Sequence, residues 1–341
     1  MMEDQDMNYR TLGKTSLSVS ALGFGGIPIQ RIDAEGTKAL IHRLADCGVN
    51  YIDTARGYTV SEEYLGYALE GIREKFILAT KTMSRTAEGM AKDIDISLKN
   101  LRTDYIELYQ VHNPSLADLD TVTAPGGALE ALMAAREAGK IGHIGVTAHS
   151  VEVFEKALSY DWVETIMFPY NIVETQGEDL IRRCKEQNVG FIAMKPLAGG
   201  AIEDATLALR FLNANDDVSV VIPGMADPAE LDQNLAAVND TTPLSTAELQ
   251  KIDAMRKELG TQFCRRCGYC APCTVGINIP GVFLFEGYLR RYGLGGWAKD
   301  RYAAMPVKAS ACVECGACEP RCPYNLPIRE MLKKAAEGFG E

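Results

Sequence analysis

The chain has 341 residues, 47% of them hydrophobic, which is length and apolar content enough for about two packed domains. Its formal charge of −11 opposes nucleic acid or anionic lipid as a main partner, because both reward basic patches that release counterions. No apolar stretch approaches the roughly 20 residues of a membrane-spanning helix, and the opening MMEDQDMNYR lacks a charged and apolar leader pattern, so a soluble, cytoplasmic protein is expected.

In chain order, Tyr9 to Leu12 and Ser18 to Ala21 flank Gly13 and Lys14, which predicts a short hairpin able to plug a barrel floor. Short β-branched runs then alternate with longer amphipathic stretches as far as Val238, at about 20 to 35 residues per pair, the rhythm of βα units around a parallel sheet. Strands are expected at residues 21–24, 50–53, 76–80, 105–110, 144–147, 165–168, 190–194 and 218–222. Helices are expected at 37–47, 61–69, 86–101, 128–138, 150–158, 177–187, 205–213 and 228–238. Eight such alternations over this length suit a closed (β/α)8 TIM barrel better than an open sheet. One more helix, with Ser245 as N-cap and Gly260 as its stop, precedes a domain boundary near Gly260, dividing the chain into residues 1–260 and 261–341.

Beyond that boundary lie eight of the ten cysteines, as Cys264, Cys267, Cys270, Cys273 and then Cys312, Cys315, Cys318, Cys322, the last followed by Pro323. Successive CxxC turns aim thiolates at one iron–sulfur cube, and in two-cluster ferredoxins the last cysteine of each run serves the other cluster. Two [4Fe–4S] clusters are therefore expected. The crossed sharing gives one cluster Cys264, Cys267, Cys270 and Cys322, and the other Cys312, Cys315, Cys318 and Cys273; the alternative keeps each run to itself. Paired CxxC elements also build four-thiolate zinc sites, but two consecutive runs with the second ending xxxCP fit clusters better. A disulfide framework would need an oxidising compartment that nothing in the sequence signals. Residues 279–311 between the runs are aromatic-rich and read as partly helical, so this domain is expected to be α-helical and ferredoxin-like.

A barrel carries its chemistry on the loops after the strand C-termini. There the chain places Asp53 and Tyr58 in YIDTARGYTVSEEYLG, Lys81 in ILATKT and His112 in LYQVHNP. With the opening RTLGKTSLSVSALGFGG, this set resembles the aldo-keto reductase superfamily over residues 9 to about 240, and the tail resembles its branch bearing a C-terminal ferredoxin-like domain. The resemblance implies a carbonyl oxidoreductase with those four residues as the catalytic tetrad. The physics agrees: a phenol with a pKa near 10 needs help at neutral pH. An ammonium at Lys81 would lower it, Asp53 would hold Lys81 in place, and His112 could hydrogen-bond the substrate carbonyl. Taken singly, an Asp ending a strand often caps a turn and a lone Lys or His is commonly solvated; their convergence is what reads as a site.

The resemblance also implies nicotinamide binding through an Asn after strand five, a Gln in strand six and an aromatic platform after strand seven. Here Ala148, Met167 and Met194 stand in those places. An amide hydrogen bond cannot come from the first two, so Thr147, Asn171 or Lys195 are the expected substitutes. VIPGMADPAELDQN is similar to the family's adenosine-binding segment, which implicates Pro223, Gly224 and Asn234. Glu230 replaces a basic residue of NADP-using relatives and would repel a 2′-phosphate, so NADH is favoured if a dinucleotide binds. The same segment read plainly would only complete the barrel wall.

Clusters pass electrons singly and nicotinamide passes hydride, so a flavin at the barrel mouth, on the glycines and amides of PLAGG and PGMAD, is a possible two-electron station. The leading expectation is a reductase fed by NAD(P)H, or through the clusters by a carrier such as a ferredoxin or flavodoxin. The alternatives are an electron-transfer subunit whose barrel serves for docking, a flavin-linked reductase, and clusters that only brace the fold. His149 is either a substrate contact or an exposed residue ahead of the Ser150 cap; His42 and His143 read as structural, Cys47 and Cys184 as packing, and Glu62 as favouring its helix dipole.

Overall fold

A computed structural model describes residues 7–260, 263–266 and 268–341. The chain opens with β1 (Tyr9–Thr11) and β2 (Ser18–Ser20), an antiparallel pair with Arg10 opposite Val19. At its tip Gly13 has φ +54°, and a Cβ there would lie 2.2 Å from the backbone nitrogen of Gly190. Only glycine combines that left-handed turn with so close an approach. Leu12 and Val19 join the cluster of side chains inside the barrel, so the hairpin does form its floor.

Eight parallel strands follow: β3 (Phe24–Gly25), β4 (Tyr51–Asp53), β5 (Ile77–Thr82), β6 (Ile106–His112), β7 (Ile141–Thr147), β8 (Thr165–Pro169), β9 (Gly190–Met194) and β10 (Val220–Ile222). Bridges Leu22↔Val221 and Gly25↔Gly224 join the first to the last and close the barrel. The outer layer holds α1 (Ala34–Asp46), α2 (Ser61–Ala68), α3 (Ala87–Asn100), α4 (Leu116–Thr123), α5 (Ala128–Glu137), α6 (Val151–Leu158), α7 (Glu178–Glu186), α8 (Ala205–Asn213) and α9 (Pro228–Asn239). Helix α4 escapes the sequence reading, although Ser115 and Asp118 form a capping box whose spacing is visible in the chain. Helix α1 starts three residues early because Asp33 caps it by accepting from the Gly36 amide.

Strand side chains alternate between two cores. Tyr51, Ala79, Leu108, Met167, Ile192, Val220 and Ile222 fill the inside, while Ile52, Leu78, Tyr109, Ile166, Phe168, Phe191 and Val221 pack outward under the helices. This parity decides the site. Asp53 lies two residues beyond Tyr51, Lys81 two beyond Ala79, and Gln110 and His112 two and four beyond Leu108, so all four share the inward face at the C-terminal mouth.

The chain divides into two units: Met1–Asn171 with Thr175–Pro196 and Asp204–Leu244, and Ile172–Glu174 with Leu197–Glu203 and Ser245–Glu341. Helix α10 (Thr246–Leu259), capped by Ser245, belongs to the second unit, whereas the sequence reading places it before the boundary. The second unit also contains α11 (Ile279–Arg290), α12 (Gly295–Ala303) and α13 (Ile328–Phe339) around a core of Ile277, Val282, Phe283, Tyr302, Leu326 and Leu332. Tyr302 and Phe339 stack there with ring centroids 3.8 Å apart. Among the described residues no helix is long and apolar enough to cross a membrane.

Candidate active site

At the barrel mouth Lys81 and Asp53 are both buried and form an ion pair. Lys81 Nζ also donates to the Thr54 carbonyl at 2.9 Å, and Gln110 Nε2 donates to the second Asp53 oxygen at 3.1 Å. Burial pushes the Asp53 carboxyl up, and the Lys81 charge opposes that shift; burial pushes Lys81 down, and Asp53 opposes it in turn. Lys81 Nζ lies 4.9 Å from the centroid of the Tyr58 ring. Tyr58 meets His112 edge-on, with centroids 6.2 Å apart. The loop after β4, the end of β5 and the end of β6 thus bring Asp53, Tyr58, Lys81 and His112 together.

His112 Nδ1 is buried without a hydrogen-bond partner among the described residues. Its pKa falls to about 3, first through burial and then through the charges of Lys81, Arg85 and Lys195, so the imidazole is neutral near pH 7. The unfolded chain binds a proton near pH 6.5 that the folded chain refuses. Stability from this group is therefore complete above pH 6.5 and is lost as pH falls toward about 3. His112→Asn should flatten that part of a pH series of thermal midpoints; an unchanged slope would contradict the burial.

Glu62 lies in the first turn of α2, the position the dipole reading gives it, and the structure adds a second role: the side chain is buried and accepts from Arg56 (2.7 Å), Thr80 (2.9 Å) and Ser97 (2.7 Å). It ties the Tyr58 loop to β5 and α3, a role that its burial reveals and its sequence position does not.

The expected nicotinamide shelf is apolar. Ala148 is fully buried, and Met167 and Met194 belong to the inner barrel cluster. Thr147 Oγ1 accepts from the Asn113 amide at 2.9 Å, and buried Asn171 donates to the Lys195 carbonyl at 3.0 Å, so both side chains are engaged in loop contacts. Lys195 follows β9 with φ +57°. Pro223 and Gly224 form the seam against Gly25, and a Cβ on Gly224 would meet Pro28 at 2.5 Å. Asn234 is buried on α9. Glu230 completes a capping box with Asp227 and accepts from the Ala226 amide at 2.7 Å. His149 bonds Asn113 at 2.8 Å, His143 bonds Glu164 at 2.8 Å, and burial pushes Cys184 up to about 12.

In the second unit, one small cavity is lined by Cys264, Cys270 and Cys322, and another by Cys273, Cys312, Cys315 and Cys318. Cys267 lies outside the described residues. The two runs share a backbone pattern: Arg266 and Glu314 are left-handed two residues after the first cysteine, Gly268 and Gly316 four after, and Gly276 and Asn325 three after the last. A helix begins six residues after each last cysteine, at Ile279 and Ile328. Gly268 and Gly316 are alike in the sequence, but the left-handed conformation that Arg266, Glu314 and Asn325 share with glycines shows only in the structure. Left-handed residues in such turns present amide groups to an enclosed anionic group. The thiolate donor set fits iron–sulfur clusters.

Comparison with known proteins agrees with both units. The profile of the aldo/keto reductase family matches residues 21–207, and that of a 4Fe-4S dicluster domain matches residues 263–327. The chain is 28% identical to L-galactose dehydrogenase of Arabidopsis thaliana over 305 residues, covering 73% of this chain and 94% of that one. It is 29% identical to aldo-keto reductase YhdN of Bacillus subtilis, covering 72% and 78%. A solved aldo-keto reductase of Bacillus halodurans in its holo form superposes with a TM-score of 0.65 at 27% identity, over 73% of this chain and 96% of that one. The chain belongs to the aldo/keto reductase family of oxidoreductases and bears a 4Fe-4S dicluster domain.

Proposed function

We propose that the barrel mouth reduces a carbonyl, or in reverse oxidises an alcohol, with Tyr58 as the proton donor. The observation that carries this reading is the Lys81 ammonium 4.9 Å from the Tyr58 ring, on a lysine held by buried Asp53. In reduction Tyr58 gives its proton to the carbonyl oxygen, and the resulting phenolate is stabilised by Lys81. His112, neutral, orients that oxygen by a hydrogen bond and leaves the proton to the phenol. The resemblance to a sugar dehydrogenase supports a small polar carbonyl or alcohol as the substrate class.

Bound NAD(P)H would supply hydride to the carbonyl carbon, and bound clusters would exchange single electrons with a carrier such as a ferredoxin or flavodoxin. We assign the dinucleotide cradle to Thr147, Asn171, Lys195, Pro223, Gly224 and Asn234, with Glu230 favouring NADH. The ligand sets are Cys264, Cys267, Cys270 and Cys322 for one cluster and Cys273, Cys312, Cys315 and Cys318 for the other. We divide the functional parts by chemistry rather than packing, with the carbonyl site in residues 1–260 and the cluster ligands in residues 261–341.

Anaerobic purification with extraction of iron, sulfide, flavin and nicotinamide tests the cofactor set. Cys315→Ala should lose iron and stop electron exchange with a redox dye. Dye-linked turnover at the unaltered rate would make the clusters structural, and extracted flavin would place a two-electron station at the barrel mouth.

A further inference from the structure

Arg265 stands between the first two cysteines of the first run and is 7% exposed. A guanidinium so far removed from water is strongly unfavourable unless something opposes its charge. Among the described residues, the hydrogen bonds of Arg265 go to neutral groups. Its Nη1 donates to the Gly260 carbonyl at 3.1 Å, Nη2 donates to the Val173 carbonyl at 3.3 Å, and its plane lies 3.8 Å from the centroid of the Tyr324 ring. Nε is buried with no hydrogen-bond partner among the described residues. Glu174, fully buried too, opposes that charge through space, but its carboxylate makes its ion pair with Arg266 at 3.1 Å.

The side chain of Arg265 lines the same cavity as Cys264, Cys270 and Cys322. The other cavity is different. Its lining arginine, Arg329, is 45% exposed and already paired with Glu319 at 2.8 Å.

We infer that Arg265 is the fixed countercharge of the cluster bound by Cys264, Cys267, Cys270 and Cys322, supplies it with the Nε hydrogen bond, and raises its reduction potential. The inference rests on the ligand assignment proposed above. A cube with four thiolates is a dianion when oxidised and a trianion after taking one electron from a reduced ferredoxin- or flavodoxin-type carrier, which is itself oxidised by one electron. No bond is made or broken, and the permanently charged guanidinium moves no proton. A buried cation stabilises the trianion more than the dianion, so the electron is held more firmly at this site than it would be without Arg265.

The test uses the full chain with both clusters in place, as wild type and as Arg265→Met, Arg265→Lys and Arg329→Met. Potentials are read by electron paramagnetic resonance during an anaerobic redox titration, alongside iron and sulfide per chain. Arg265→Met should weaken reduction of one cluster at least tenfold, about 59 mV for one electron, and leave the other unmoved. Arg265→Lys should retain most of the potential, and Arg329→Met should move neither cluster. Full iron with both potentials unchanged in Arg265→Met would overturn the inference. If Arg265→Met loses iron, retention by Arg265→Lys supports a charge role, while equal loss in Arg265→Lys overturns it. A wild-type chain that binds no pair of clusters would remove the ligand assignment and this inference with it.

Discussion

Tyr58→Phe is expected to lower kcat for carbonyl reduction by about 10² to 10⁴, the usual contribution of a placed proton donor. The substitution removes one oxygen and keeps the ring, so the edge contact with His112 and the position over Lys81 both persist. Iron and sulfide content should match wild type, and KM should change far less than kcat, because the phenol acts on charge that develops in the transition state. Steady-state kinetics beside metal analysis makes the check. A variant that turns over at the wild-type rate would end the proton-donor role and leave His112 as the group to examine.

Lys81→Met should cost both activity and about 3–5 kcal/mol of stability, because it strands the buried Asp53 carboxylate without its cation. The pH dependence is distinctive. With Lys81 gone, burial is opposed by the Gln110 hydrogen bond but no longer by the Lys81 charge, and raises the Asp53 pKa further above the ordinary 3.8. The folded state then binds a proton that the unfolded state releases, so stability declines as pH rises from about 4 through the raised value. Adding Asp53→Leu to Lys81→Met should recover much of the stability without restoring turnover, since an apolar pair can replace a buried ion pair. Urea unfolding across pH 4 to 8, about the interval in which a raised carboxyl titrates, reads both effects. A single variant as stable as wild type at pH 7 would show that the pair is not desolvated as the structure has it.

The barrel was legible because its strands are short β-branched runs, and each expected strand overlaps an observed one or, at 21–24, meets it at Phe24. Boundaries moved where capping decided them, as at Asp33, and α4 went unread although Ser115 and Asp118 carry its signal. The convergence of Asp53, Tyr58, Lys81 and His112 was legible through motif order and strand ends. Glu62 was not, because its value comes from partners contributed by separate segments of the chain. The polar substitutes for the nicotinamide shelf were chosen by residue type, whereas Thr147 and Asn171 are engaged with neighbouring loops.

Local chemistry is what the linear order of residues determined: the period of the strands, the caps, the family motifs and the cysteine spacing that selects a cluster over a lone metal ion. Each depends on neighbours a few positions apart, so the information is contained in short windows. Burial and convergence were decided only by the tertiary structure. Strand parity turns Asp53, Lys81 and His112 to one face, the two cysteine runs interlock so that Cys322 joins Cys264 and Cys270, and Arg265 is enclosed with only neutral hydrogen-bond partners among the described residues. Those outcomes depend on charges brought together from distant segments and removed from water, and desolvation is a property of the packed molecule that no single stretch of chain carries.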